Sequence, residues 1–351
     1  MKKAVLLNDT SYDHHYGCEV VMQNIRKALD ARGIEVLYAC PVGRDWKADS
    51  LCLSAIQTCD IVIVNGEGTI HHSKEKGKWL VEAASHADKL GKPAVLFNAT
   101  YQENDESFIP YLKAFHRIYV RESFSQRELH NQGVQSAIVP DMTFYSSYPE
   151  ADPQAHFGEP LVGFSDSATS SIARRLYKLS VESQRLPYLP MFAPFIRRND
   201  NFRSFYDEVV FHLQRQMGKA VAKVLPVKMK YISYAHIVPA FEEYIAAVKG
   251  LGLLVTGRFH SLCFAIQTLV PFIALASNSH KIEGLVADIG LGQGRVLPIE
   301  VVEKYSIGEM IESYGRYTDE EKEMIRRYNR DAVVKINSMF DEIAAIVDLK
   351  K

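Results

Sequence analysis

The sequence predicts an α/β protein built as two Rossmann-like halves that face each other across a cleft and are closed by a long C-terminal helix. Three observations carry this. Short apolar runs alternate with helix-like segments from the start to about residue 141, the pattern of a doubly wound parallel sheet. The alternation resumes beyond a connection at residues 143–160 that holds three prolines and several polar residues, as an interdomain segment does. Finally, residues 319–347 place Met324, Ile325, Tyr328, Val333, Ile336, Met339, Phe340, Ile343 and Ile346 at mixed spacings of three and four, an amphipathic helix. At 351 residues the chain exceeds one ordinary domain. The expected division is 1–155, 156–318 and a helix 319–351 that packs back on the first half.

In order, strands are predicted at 4–7, 34–39, 61–64, 94–97, 118–120 and 137–139, with helices at 18–31, 50–57, 76–89, 108–114 and 123–131. Gly33, Gly91 and Gly133 follow helices, where a left-handed residue ends the last turn. The second half opens with a strand at 161–164 and a helix near 170–179. Residues 182–226 give a weak pattern, with prolines at 187, 190 and 194, the pair Arg197 and Arg198, and a helix at 202–216. Order returns with a helix at 239–249, then strand, helix and strand over 252–276, and a helix at 282–289.

Composition bounds the function. A hydrophobic fraction of 47% with 24% charged residues is globular. The net charge of -1 supplies no overall pull toward nucleic acid or acidic lipid, so an anionic ligand needs a local site. The N-terminus runs straight into a strand, and no apolar run approaches the ~20 residues of a spanning helix. A cytoplasmic protein is expected, with peripheral association at the inner face of a membrane left open. Five cysteines without a CxxC pair read as buried reduced thiols, and no metal site is expected.

Four stretches could carry chemistry. The first strand ends in NDTSYDHHYGCE, which crowds Asn8, Asp9, Asp13, His14 and His15 before a helix, with Gly17 allowing close approach. A polar loop with an Asx turn at Asp9 or Asp13 is the plainer reading. The third strand runs into VNGEGTIHH, where Gly66 and Gly68 bracket Glu67 ahead of His71, a glycine turn able to offer backbone N–H groups to an anion. Arg121 ends the fifth strand in VRESFS. It is a fork for carboxylate or phosphate, or an ion pair with Glu122 or Asp141, while Ser123 or Ser125 caps the helix. In the strand–helix–strand unit at 252–276 and the stretch after it, Arg258, His260, Ser261, His280 and Lys281 share one rim. An arginine and a histidine beside helix N–H groups make an anion site with an acid or base built in.

Taken together, NDTSYDHHYGC, NGEGTIHH, VRESFS with the later PDMTF, and TGRFHSLCFAIQTLVPFIAL with SHKIEGLVADIGL resemble the polysaccharide pyruvyl transferase family. Phe259 stands between the Arg and His of its last motif, and Glu67 interrupts what is more often a run of glycines. The resemblance implies a fold similar to GT-B glycosyltransferases and no cofactor. It implies phosphoenolpyruvate as donor, and as acceptor a glycan or lipid-linked sugar that receives a pyruvate ketal. Arg258, Arg121, His260, Ser261, His280 and Lys281 would then bind the donor. His260 would be the general acid, with Glu67 and Asp13 as further catalytic candidates. Asn8, Asp9, His14, His15, Gly66, Gly68 and His71 would bind the acceptor on the first half. The rival readings are a GT-B-like enzyme using a nucleotide sugar and a non-enzymatic sugar-binding subunit.

Overall fold

The structure, a computed structural model, describes residues 2–13, 15–151, 161–183, 186–191 and 240–348. The boundary expected near residue 155, the helix expected at 202–216 and His14 lie outside the described residues. Six parallel strands form the first sheet: β1 (Lys2–Asp9), β2 (Ile34–Pro41), β3 (Ile61–His71), β4 (Ala94–Gln102), β5 (Arg117–Val120) and β6 (Ala137–Ile138). Their order is β2-β1-β3-β4-β5-β6, so the winding reverses between β1 and β3. That is the flavodoxin-like order, and the reversal is where open parallel sheets bind ligands.

The second sheet holds β7 (Val162–Ser167), β8 (Tyr188–Leu189), β9 (Leu253–Gly257) and β10 (Phe272–Ala274) in the order β10-β9-β7-β8. Its described pairs are parallel, with the reversal between β7 and β9. The crossovers that matter for function are α1 (Tyr16–Asp30), α2 (Ser50–Thr58), α3 (Glu75–Lys89), α4 (Ile109–Leu112) and α5 (Ser123–Asn131) in the first half. In the second they are α6 (Ser170–Glu182), α7 (Phe241–Lys249), α8 (Phe259–Gln267) and α9 (Lys281–Ile289). Two short helices, α10 (Ile299–Val302) and α11 (Ile307–Tyr314), lead to the 30-residue α12 (Asp319–Asp348). Gly33, Gly91 and Gly133 have φ of 64°, 65° and 69°, the left-handed geometry that ends a helix cheaply only at glycine.

Alternation along the strands divides the core. On β1, Val5 and Leu7 face one apolar layer with Val62, Val64 and Leu96. Ala4 and Leu6 face another, and that layer runs without interruption into Leu254, Phe264 and Phe272 of the second half and Ile336, Phe340 and Ile343 of α12. The two halves therefore share a core, because side chains two residues apart on a strand point the same way. The C-terminal helix reaches the first half, where Tyr119 donates to Glu342 at 2.6 Å and Lys2 to Asp348 at 2.8 Å. It also holds the second half through Asn329, which donates to the carbonyl of Ile266 at 3.3 Å.

One expected element differs. The segment NGEGTIHH is not a turn opening a helix but the continuation of β3, which runs to His71 while α3 starts at Glu75. The chain stays extended because it bulges. Asn8, Glu67 and Asn98 have φ of 66°, 38° and 56°, and the pairing register shifts beside each of them. Three adjacent strands thus bend at their C-terminal ends, as bulged strands do. Buried amides stitch the bends together: Asn8 Nδ2 donates to Asn65 O at 2.7 Å, and Asn98 Nδ2 to Asn65 Oδ1 at 3.1 Å.

Candidate active site at the seam of the two sheets

The C-terminal rims of the two sheets meet, and the contact is tightest where α1 passes α8. A Cβ added to Gly17 would lie 2.3 Å from Cβ, Cγ and Nδ1 of His260, so only glycine lets the two helices approach so closely. His260 is 6% exposed, its ring lies edge-on to that of His15 with centroids 5.2 Å apart, and its Nε2 sits 3.7 Å from Asp141 Oδ2. That nitrogen has no hydrogen-bond partner among the described residues. A buried imidazole nitrogen without a bond is costly unless a ligand uses it.

Each arginine is held by its own aspartate. Arg121 donates Nε to Thr100 Oγ1 at 2.7 Å and Nη1 to Asp141 Oδ2 at 2.9 Å. Its guanidinium lies 4.3 Å over the Phe259 ring, so the apolar position between Arg258 and His260 forms a stacking platform. Arg258 caps α8 and gives both Nε and Nη2 to Asp166 Oδ2, at 2.8 and 2.5 Å. The guanidinium nitrogens not used in these bonds are Arg121 Nη2 and Arg258 Nη1. A methyl group placed on Gly68 would lie 3.5 Å from both Arg121 Nη2 and Lys281 Nζ, so the bare glycine keeps room between two cations. Burial, then the positive charges of Arg121 and Arg258, push the Lys281 ammonium down to about 7.

Several of the expected ligand residues carry framework bonds. Asp9 accepts from Ser11 N at 3.0 Å and from Arg26 Nη2 at 2.6 Å, so it is an Asx turn and an ion pair. Asn8 serves the bulge network. Ser261 turns inward to Tyr244 Oη at 2.8 Å and Ser165 Oγ at 3.1 Å. His280 bridges to Glu122 at 3.3 Å and Ser125 at 3.2 Å, and its backbone N–H donates to Gln102 at 2.7 Å. Gly66 is required for packing of β3 on β4, since its Cβ would fall 2.5 Å from that of Ala99. The cap of α5 is Glu122 rather than Ser123 or Ser125, accepting from the N–H of Phe124 and Ser125.

The other candidates stay at the rim. His15 caps α1, with Nδ1 accepting from Cys18 N at 3.3 Å. Burial holds its pKa well below the usual value, and His260, Arg258 and Lys281 push the same way. Glu67 is buried beside Thr10, Asn65 and Cys18, accepting at 2.5, 3.1 and 3.4 Å. His71 is lowered to about 4 by burial and by Lys74 and Lys281, so it is neutral at pH 7. Asp13 is exposed at the end of the turn Thr10–Asp13.

Two parallel sheets joined at their C-terminal rims, with cations and imidazoles gathered at the join, give an α/β fold of the GT-B kind. The profile of the polysaccharide pyruvyl transferase family matches residues 15–279. The chain belongs to that family and is a pyruvyl transferase of cell-surface polysaccharide synthesis, with an acceptor of the polysaccharide class. No curated protein sequence matches it. Its fold is similar to that of a Listeria monocytogenes protein assigned as a UDP-N-acetylglucosamine 2-epimerase, at 10% identity and a TM-score of 0.53 over 97% of this chain and 98% of that one. A Methanocaldococcus jannaschii UDP-GlcNAc 2-epimerase, solved with UDP-GlcNAc and UDP, aligns at 12% identity and a TM-score of 0.49 over 94% and 100%. No helix among the described residues is long and apolar enough to cross a membrane.

Proposed function

We propose that the seam transfers a carboxyethylidene group from phosphoenolpyruvate to two hydroxyls of a glycan or lipid-linked sugar, on the cytoplasmic side of the cell. The observation that carries this reading is the grouping of Arg121 Nη2 and Lys281 Nζ about Gly68 and of His260 against Gly17, with Arg258 close enough for its charge to act on both Lys281 and His15. Three cations suit a small trianion, and forks suit its carboxylate and phosphate. His260 delivers a proton to the methylene carbon, which becomes a methyl group and leaves C2 electron-poor. A sugar hydroxyl adds to C2 and loses its proton, phosphate departs, and a second hydroxyl closes the ketal with loss of another proton. Residues 1–155 then form the acceptor side, with Glu67, Asp13, His15 and His71 around the sugar, and residues 156–318 the donor side.

Thermal-shift and calorimetric titration with phosphoenolpyruvate and with a panel of nucleotide sugars tests this. Binding of phosphoenolpyruvate with phosphate release in the presence of acceptor supports it; binding of a nucleotide sugar alone, with no response to phosphoenolpyruvate, overturns it.

Two predictions follow from the cations. Arg258→Lys is expected to weaken donor affinity by about tenfold or more, because an ammonium keeps the charge but cannot both grip Asp166 and present a second prong; calorimetry reads it. Donor affinity is also expected to fall as pH rises through about 7, where the Lys281 ammonium gives up its proton. The limb should vanish in Lys281→Met, and wild-type binding near pH 7 should take up protons when measured in buffers of different ionisation enthalpy.

A further inference from the structure

Cys18 has no part in the transfer chemistry, yet its sulfur lies at the seam with two imidazoles. One ligand atom from each of His15, Cys18 and His260 lies within 4.8 Å of the other two. We propose that these three side chains form a site for a thiophilic divalent transition metal, zinc or cobalt(II), whose binding blocks transfer by occupying His260.

Two imidazoles and a thiolate are the donor mixture such ions prefer, whereas magnesium and calcium seek oxygen. Sequence spacing hid the site, because His15 caps α1 and Cys18 sits on its first turn while His260 comes from α8 of the other half. Gly17, between the two α1 ligands, is the residue that lets α8 come near.

Each ligand is already oriented. The N–H of Cys18 holds His15 by Nδ1, which leaves Nε2 to ligate. The His260 ring is fixed by its packing against Gly17 and His15, and one of its ring nitrogens lies within reach of the other two ligands.

Cys18 donates its thiol proton to Glu67 Oε2 at 3.4 Å. Metal binding breaks that S–H bond, forms the S–metal bond and sends the proton through Glu67 to solvent, with no change of oxidation state. Arg121 is paired with Asp141 and Arg258 with Asp166, and the Glu67 carboxylate lies beside the Cys18 sulfur. Three protein ligands leave the fourth tetrahedral position for water or a donor oxygen. Among the described residues there is no other such group of three, and Cys40, Cys52 and Cys59 lie in a separate apolar layer.

The test is titration of the metal-stripped full-length protein with cobalt(II). One equivalent should bring a thiolate-to-cobalt charge-transfer band in the near ultraviolet together with visible bands of four-coordinate cobalt, and zinc should bleach both. Cys18→Ser should lose the charge-transfer band, and His15→Gln should bind at least about 10–100-fold more weakly, each with a far-ultraviolet dichroism spectrum like wild type. No thiolate band at one equivalent, or a band that survives in Cys18→Ser, overturns the site.

The blocking effect rests on His260 acting as the acid, and it is read separately. One equivalent of zinc should silence turnover of the wild type, a chelator should restore it, and Cys18→Ser should resist. A cobalt spectrum without zinc inhibition would overturn the block and count against His260 as the acid, while leaving the metal site in place.

Discussion

Replacing His260 with glutamine is expected to lower turnover by about 10²–10⁴-fold while donor affinity stays nearly intact, the usual loss for a general acid. The asymmetry follows from the geometry. The anion would be gripped by Arg121, Arg258 and Lys281, none of which hydrogen-bonds to the imidazole among the described residues. Glutamine keeps the size and a donor but cannot release a proton to carbon. Single-turnover kinetics with donor in excess, set beside calorimetric donor binding, separate the two effects. Equal losses in affinity and turnover would show that His260 binds rather than protonates, and wild-type values of both would make it a packing residue against Gly17.

The same geometry explains which parts of the site sequence reading could reach. Rim logic located Arg121, Glu67, Arg258, His260 and Lys281, because each lies at the C-terminal end of a strand or on the loop or helix start that follows, and such ends converge whatever lies between them. Gly17 was legible as a close-approach residue, though its partner was not. What stayed hidden depends on long-range pairing. Asp166 ends β7, and its role appears only when the reversal between β7 and β9 brings it against Arg258. Cys18 read as one buried thiol among five until α8 arrived beside it.

Local chemistry hid the framework bonds of Asn8, Asp9, Ser261 and His280. Polar residues at a rim look available in one dimension, but a bulge contact holds Asn8, an ion pair within the first half holds Asp9, a bond within the second half holds Ser261, and a contact across the halves holds His280. The bulges themselves were invisible. Asn8, Glu67 and Asn98 take left-handed backbone that sequence statistics assign to turns, which is why NGEGTIHH reads as a turn and folds as a strand.

Asp141→Asn is expected to cost about 3–5 kcal/mol of stability at pH 7, because Arg121, 2% exposed, would keep its charge and lose its carboxylate. Thr100 and the Phe259 ring would remain to it, and neither neutralises a guanidinium. The pH dependence separates this from a general loosening. Burial by itself raises the Asp141 carboxyl, but His260 and Arg121 outweigh it and hold the group well below the usual range. In the unfolded chain it titrates near 3.9. Above about pH 5 both states are ionised and the pair contributes in full; as pH falls below about 4 the unfolded chain takes up the proton first, and the contribution is lost progressively toward the folded-state value. Asparagine has no such proton. The gap between wild type and variant in urea midpoint should therefore be widest at pH 5–7 and narrow below pH 4. A gap that stays constant across that range would mean that the cost comes from fitting the new amide into the buried site, and not from the charge that Asp141 shares between Arg121 and His260.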